Sequence, residues 1–522
     1  MRKSLTITIL TFVVLVVSFI SCKEESKSGL GEDAIIVDTL VYREQYRPQY
    51  HYTPPAKWMN DPNGLVFENG TYHLFYQYYP EDIVWGPMHW GHAISSDLLH
   101  WEHKSIALYP DTLGYIFSGS AVYDEKNTSA LAPPGESPLV AIFTYHDPEG
   151  EQAGTSDFQT QGIAYSMDRG ANWSKYEGNP VLDNEQAIRD FRDPKVFWYD
   201  EGQYWIMALV AGDRAQFYRS ENLTQWDFMS EFGKDSGAHG GVWECPDLFP
   251  LEVDGEERWV LIISINPGAP NNGSGTQYFI GDFDGTTFTA DHDDIRWLDW
   301  GTDNYAGVTY NHVPGGDRIF IGWMSNWDYA RETPTEVWRS AMTLPRNLSL
   351  EKIKDTVRLL NYPIEELDKI IKKGELESVS IPSEDKIVRE SDFLGQSEII
   401  FRTEGRNFSV ILENGEGETV DLKMDGGSGI FSLDRSESGQ TAFKEGFGAI
   451  QQMPIHGLPN ESVEVRILVD RSSIEIFINK GQYVMTAQVF PNEAYNLLYV
   501  MNNDNEPLQL DGFGISAVER VW

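Results

Sequence analysis

Phe191-Arg192-Asp193-Pro194-Lys195-Val196-Phe197-Trp198-Tyr199, then Asp200-Glu201-Gly202, then Tyr204-Trp205-Ile206-Met207, reads as a β-hairpin introduced by an acid and a proline. Aromatic and β-branched runs on either side of a glycine turn supply the hairpin signal. The phrase recurs. Asp61-Pro62 precedes Leu65-Val66-Phe67, the turn Glu68-Asn69-Gly70 and Tyr72-His73-Leu74-Phe75-Tyr76. Glu244-Cys245-Pro246 precedes Leu248-Phe249, the turn Asp254-Gly255 and Trp259-Val260-Leu261-Ile262. Looser units start at Ser118-Gly119-Ser120 and Asp303-Asn304-Tyr305. The anchors 61, 118, 193, 244 and 303 are spaced by 57, 75, 51 and 59 positions. A trailing turn also repeats, in Ser96-Asp97-Leu98-Leu99-His100-Trp101, in Ser166–Trp173 and in Ser220–Trp226, with Asp282–Phe288 as a variant ending in Phe. A repeat of this length holding about four strands is a propeller blade, and five anchors give five blades.

That geometry carries chemistry. The first strand of each blade lines the axis, so equivalent positions in different blades converge on one cavity. Asp61, Asp193 and Glu244 would face each other there, and crowded carboxylates push their pKa values apart. The prolines are expected to hold Asp61 and Asp193 extended and to offer no competing N–H. Taken singly, each acid has an ordinary reading. Asn60-Asp61-Pro62-Asn63-Gly64 is a good turn sequence, and Asp193 has an ion-pair reading with Arg192. Three acids at matched places read as a site.

The chain has 522 residues, enough for two domains, with 41% hydrophobic and 23% charged residues, as in ordinary globular proteins. Sixteen Trp suit a β-rich core or a sugar-binding surface. The formal net charge of −40 repels nucleic acid and anionic lipid headgroups, whereas a neutral polysaccharide is indifferent to it. The N-terminus reads as a targeting segment, with Arg2 and Lys3 before the apolar run Leu5–Ile20. The run stops at Ser21-Cys22 and resembles a lipoprotein signal, which implies lipidation of Cys22, export, and anchoring to a bacterial cell envelope, periplasmic or surface-facing. Residues 1–22 form this signal and 23–44 a polar tether. Cys245 is the only other cysteine, so a lipidated Cys22 leaves no intramolecular disulfide.

Several stretches together resemble glycoside hydrolase family 32, which contains invertases, inulinases and levanases. They are Trp58-Met59-Asn60-Asp61-Pro62-Asn63-Gly64, Phe191-Arg192-Asp193-Pro194 and Trp243-Glu244-Cys245-Pro246, together with Trp85–His92, Phe117–Ser120, Gly322–Trp327, Trp338–Arg346 and Val469–Phe477. The run looks more like bacterial levanases than plant invertases. The resemblance implies an all-β chain, a five-bladed propeller (residues 45–352) followed by a β-sandwich (378–522). It implies a fructan polysaccharide or oligosaccharide substrate and a retaining mechanism without metal or cofactor. Asp61 would be the nucleophile, Glu244 the acid/base, and Asp193 with Arg192 the transition-state stabiliser. Asn60, Gln77, Trp85, Ser118 and Trp323 would line the sugar pocket, together with Trp58, Phe117 and Asp303. Asn304 stands where the family pattern leads one to expect an aromatic, which would alter a substrate-contacting wall.

Other features read blandly. His89, His92, His100 and His103 have metal-like spacing, but residues an odd number apart on a strand face opposite ways. Cys245 reads as a small packing residue that sets the environment of Glu244. Pro363–Ile371 reads as a helix within a linker (353–377), with Pro at its start, acids in its first turn and Gly374 beyond it. Val463, Val465, Ile467 and Val469 share one strand face, as do Ile474, Ile476 and Ile478, which suits a sandwich. Competing functions are a catalytically silent glycan-binding lipoprotein, a fructosyltransferase and an arabinan-type hydrolase. The three acids speak against the first, and the Trp58–Gly64 motif against the last. Linkage preference, exo or endo action and oligomeric state are not legible.

Overall fold

The computed structural model describes residues 42–458 and 462–522. The signal segment and Cys22 lie outside the described residues, as does most of the tether. Its last residues are already part of the fold: Tyr42 is buried and its ring stacks on Trp522 at 4.5 Å.

Five sheets, antiparallel except for one strand pair in the first, follow in chain order. Their innermost strands are Lys57–Glu68, Tyr115–Tyr123, Phe191–Tyr199, Val242–Val253 and Tyr305–Thr309, and each neighbours the next around a ring that closes from the fifth to the first. The alternation that suggested five blades is thus five blades, each burying apolar residues against its neighbours. Ile206, Ala208, Val210 and Phe217 of the third blade, for example, pack with Trp243, Leu261 and Ile263 of the fourth. The ring is fastened by Trp338-Arg339, which runs parallel to Lys57-Trp58 in the first sheet. The repeated trailing turn is also real, and it starts at Ser95 rather than Ser96. Ser95, Ser166 and Ser220 each accept the backbone N–H of a residue three or four positions on, namely Leu98, Gly170 and Leu223, at 2.8 Å.

Every inner strand carries a register shift at the same height. It falls at Asp61, Phe117-Ser118, Asp193-Pro194, Cys245-Pro246 and Ala306-Gly307. Such bulges re-aim side chains. They also revise two expectations. Asp193 is not extended: its φ is 64°, as Cys245 has 46° and Ala306 53°, a left-handed backbone stored where the bulge demands it. The position equivalent to Asp61 and Asp193 in the fourth blade is Cys245, so Glu244 stands one residue earlier, level with Arg192 and Tyr305.

The fifth blade continues past the expected boundary at 352. Arg346–Ile353 and Thr356–Pro363 form its outer hairpin. The expected helix at 363–371 is not one: Pro363 ends a strand, and only Glu365–Lys369 makes a 3-10 turn, too short to develop an amphipathic face. Strands Ile371–Lys372 and Glu377–Ile381 already pair with Leu508–Val518 of the sandwich. The sandwich stacks a seven-stranded sheet on a six-stranded one. Val463, Val465, Ile467, Val469, Ile474, Ile476 and Ile478 all enter its core.

The two domains share buried charge. Arg435 of the sandwich donates to Asp303 Oδ2 at 2.8 Å and to the Tyr329 hydroxyl at 3.1 Å. Arg346 bridges Asp299 and Glu475, each at 3.0 Å. His51 contacts Asp470 at 2.8 Å and Glu475 at 3.1 Å. Burial opposes a charge on His51, but these bonds outweigh it and lift its pKa to about 9.

Candidate active site

At the end of the ring where the inner strands begin lies a cavity of about 390 Å³, lined by Asn60, Asp61, Gln77, Trp85, Phe117, Ser118, Arg192, Asp193 and Glu244 from the sequence reading. The bulges explain the convergence. Asp61 on the first strand accepts from Asn60 Nδ2 at Oδ1 (2.9 Å) and from the Ser118 hydroxyl at Oδ2 (2.8 Å). Both oxygens are therefore held by neutral donors, which favours the anion. The Cys245 N–H donates to Asp193 Oδ2 at 3.0 Å, and the Cys245 sulfur lies 3.7 Å from that oxygen and 3.8 Å from Asp61 Oδ2. The bulge residues of blades one, three and four thus meet in one contact. One position earlier, Glu244 reaches sideways to its counterparts in both neighbouring blades. Arg192 Nη2 donates to its Oε1 at 2.9 Å, and the Tyr305 hydroxyl donates to its Oε2.

Arg192 is surrounded by carboxylates, with Asp190 on its other side. Burial works against its charge, but Glu244, Asp193 and Asp190 outweigh that and raise its pKa. The acids outnumber the cation. Burial first, then the charge of Glu244, lifts Asp61 from its usual 3.8 to about 6. Burial lifts Asp193 to about 7; Arg192 opposes this, while Glu244 and Asp61 add to it. Crowded groups of this kind share protons as a unit. Burial and mutual repulsion thus both push Asp61 and Asp193 toward their protonated forms. Burial and the three carboxylates raise the Cys245 thiol well above its usual range, so it packs as an uncharged group.

Three predicted pocket residues lie elsewhere. Trp58 is fully buried behind the wall, where its Nε1–H donates to Asn60 Oδ1 at 2.7 Å. That bond turns the Asn60 amide N–H toward Asp61, so Trp58 positions rather than contacts. Trp323 is buried beside it, packed on Trp58, Trp327 and Tyr305. Asp303 does not reach the cavity: it is the interdomain partner of Arg435 and Tyr329. Asn304 is likewise buried and donates to Asp299 at 3.1 Å, so it forms no substrate wall. Gln77, by contrast, has a buried Nε2 without a partner on the cavity wall, a donor placed for a ligand oxygen.

The cavity also holds residues the sequence reading did not select: His146, Glu151, Phe158, Gln159, Asp190, Asn266, Trp327 and Arg331. Asp190 stands two residues before Arg192, and Trp327 ends a quoted motif, so both had a signal. His146 and Glu151, in contact at 3.0 Å, sit at a strand end and on the short helix Pro148–Ala153, which no other blade repeats. Trp85 and Phe117 meet edge to face at 6.1 Å, and Phe117 stacks on His146 at 4.3 Å, giving the mouth an aromatic side.

Comparison with known proteins agrees with this construction. The model described as "Glycosyl hydrolases family 32 N-terminal domain" matches residues 51–363, and "Glycosyl hydrolases family 32 C terminal" matches 366–513. The levanase of Bacillus subtilis (strain 168) is 45% identical over 500 residues, covering 93% of this chain and 72% of that protein. The crystal structure of exo-inulinase from Aspergillus awamori superposes with a TM-score of 0.85 at 37% identity, covering 92% of this chain and 100% of that one. A fructofuranosidase of Schwanniomyces occidentalis complexed with fructosylnystose superposes with a TM-score of 0.83 at 31% identity, covering 92% and 99%. With both family models matched along one continuous propeller and sandwich, the chain belongs to glycosyl hydrolase family 32.

Proposed function

We propose that this protein hydrolyses β-fructans, releasing fructose with retention of configuration. The observation that carries the reading is the pairing of Asp61, both oxygens held by neutral donors, with Glu244, pinned between Arg192 and Tyr305, in one cavity. Asp61 attacks the anomeric carbon of the fructosyl unit. The glycosidic C–O bond breaks as Glu244 gives its proton to the departing oxygen, leaving a covalent fructosyl ester. Glu244 then takes a proton from water, which attacks the same carbon and restores the Asp61 carboxylate. Asp193 and Arg192 bind ring hydroxyls beside the reacting centre, where hydrogen bonds gain most as charge develops. Gln77 and Asn60 supply amide donors, and Trp85 and Phe117 an apolar wall.

The names of the relatives, levanase and exo-inulinase, support a fructan substrate. One of these relatives is an exo-inulinase, and on that likeness we read the action as exo. From Arg2, Lys3, the apolar run and Cys22 we infer export and lipid anchoring.

The test is product analysis on levan, inulin and sucrose, with Glu244→Gln as control. Fructose without intermediate oligosaccharides is expected from levan and inulin, and fructose with an equal amount of glucose from sucrose, the fructose released first as the anomer of retained configuration. A ladder of oligosaccharides refutes the exo reading, and no release from any of the three refutes the hydrolase.

A further inference from the structure

The opposite end of the propeller carries a second cavity that shares no residue with the catalytic one. The catalytic acids sit near the starts of the inner strands. The far parts of those strands, Tyr123, Phe197 to Tyr199 and Leu248 to Pro250, line a cavity of about 460 Å³ together with Arg318. Asp193 and Tyr199 stand on one strand, and six residues at about 3.3 Å each separate the two ends by roughly 20 Å. The volume is that of a small-molecule site.

Its chemistry fits a neutral saccharide. Tyr123, Phe197 and Trp198 present half-buried rings. Trp198 is covered on one face by the exposed Lys126, whose Nζ lies 4.5 Å from the ring centroid. Arg318 lies 4.9 Å over the Phe249 ring, and its Nε–H is buried with no hydrogen-bond partner. A buried donor without an acceptor costs free energy that an incoming hydroxyl oxygen recovers. Exposed Glu125 and Glu257 at the rim offer acceptors to hydroxyl groups and repel anions. Apolar faces, guanidinium and carboxylate acceptors also build the catalytic pocket, here without a bulged acid to react.

We propose that this distal cleft is a second, non-catalytic saccharide site that holds a short stretch of the same neutral fructan; the inference rests on the fructan reading above. The full chain carrying Asp61→Ala, which keeps sugar unhydrolysed, is titrated calorimetrically with a short fructo-oligosaccharide. Two binding sites per chain are expected, and adding Tyr123→Ala with Arg318→Gln removes one of them. The same pair of substitutions in the otherwise native enzyme leaves sucrose turnover unchanged. One site per chain with the cleft intact, two sites that survive both substitutions, or binding there of anionic sugars alone would overturn it. Wild-type enzyme that releases fructose from fructan while the Asp61→Ala chain shows one site refutes the cleft alone; absence of both release and binding refutes the fructan reading with it.

Discussion

Asp61→Asn should make the protein more stable while abolishing its activity, and the gain should depend on pH. Burial and Glu244 raise the Asp61 pKa from its usual 3.8 to about 6. Each pKa unit corresponds to about 1.4 kcal/mol, so ionising Asp61 costs the fold at most about 3 kcal/mol. That figure is already net of the bonds from Asn60 and Ser118, and partial solvent access reduces it further. A net gain of about 1–2 kcal/mol remains, worth about 2 °C in a chain of this size. The sign follows from linkage. A carboxyl whose folded pKa lies above its unfolded value binds more protons when folded, so native stability falls as pH rises from about 4 through 6. Asparagine has no such dependence. The melting temperatures of the two proteins should coincide near pH 4 and separate by pH 7 to 8, with the variant higher. Scanning calorimetry across that range decides it. A difference that does not grow with pH, or a variant that melts lower at pH 8, would refute the claim that this site holds its nucleophile against an electrostatic cost.

Other expectations follow from the same contacts. The acid limb of kcat/KM should lie near pH 6, where Asp61 protonates, and Ser118→Ala should move it upward by removing a bond that favours the anion; a pH–rate profile of each protein shows it. Glu244→Gln should lower kcat by about 10²- to 10⁴-fold on levan, less on a fructoside with a good leaving group, and azide should restore part of the turnover. Arg435→Met should destabilise by about 3–5 kcal/mol, because Asp303 is left as a buried unpaired charge, and adding Asp303→Asn should recover much of it. Denaturant titration of the single and double variants measures that coupling.

The hairpins and the repeat were legible because alternation and turn residues are local properties of the chain. So was the meeting of Asp61, Asp193 and Glu244 at one cavity. Their alignment was not: counting to the nearest acid placed Glu244 with Asp61 and Asp193, whereas the bulge makes Cys245 their equivalent and gives Glu244 its bonds to Arg192 and Tyr305. A bulge is a relation between two strands, and neither strand's sequence states it. Asp303 looked like a fifth anchor by spacing, yet its partner Arg435 lies 132 residues on in another domain, beyond the reach of any local pattern. Pro363 and the acids after it carry a helix-start signal that Tyr362 and Pro363 override by pairing with Asn347 and Arg346. His146 and Glu151 escaped notice because the loop that carries them has no counterpart in the other blades.

The ring's fastening has a consequence for how the enzyme comes into being. Lys57-Trp58 gains its parallel neighbour only when Trp338-Arg339 has been made. A chain emerging from the ribosome carries the strand of Asp61 early, but with an open edge that invites pairing with other chains. Contacts between such distant residues also form late and slowly. Blades one to four can fold in turn as they appear, yet Tyr305, which bonds Glu244, belongs to the fifth. The contacts around Asp61 and Glu244 are therefore complete only once the last blade has met the first.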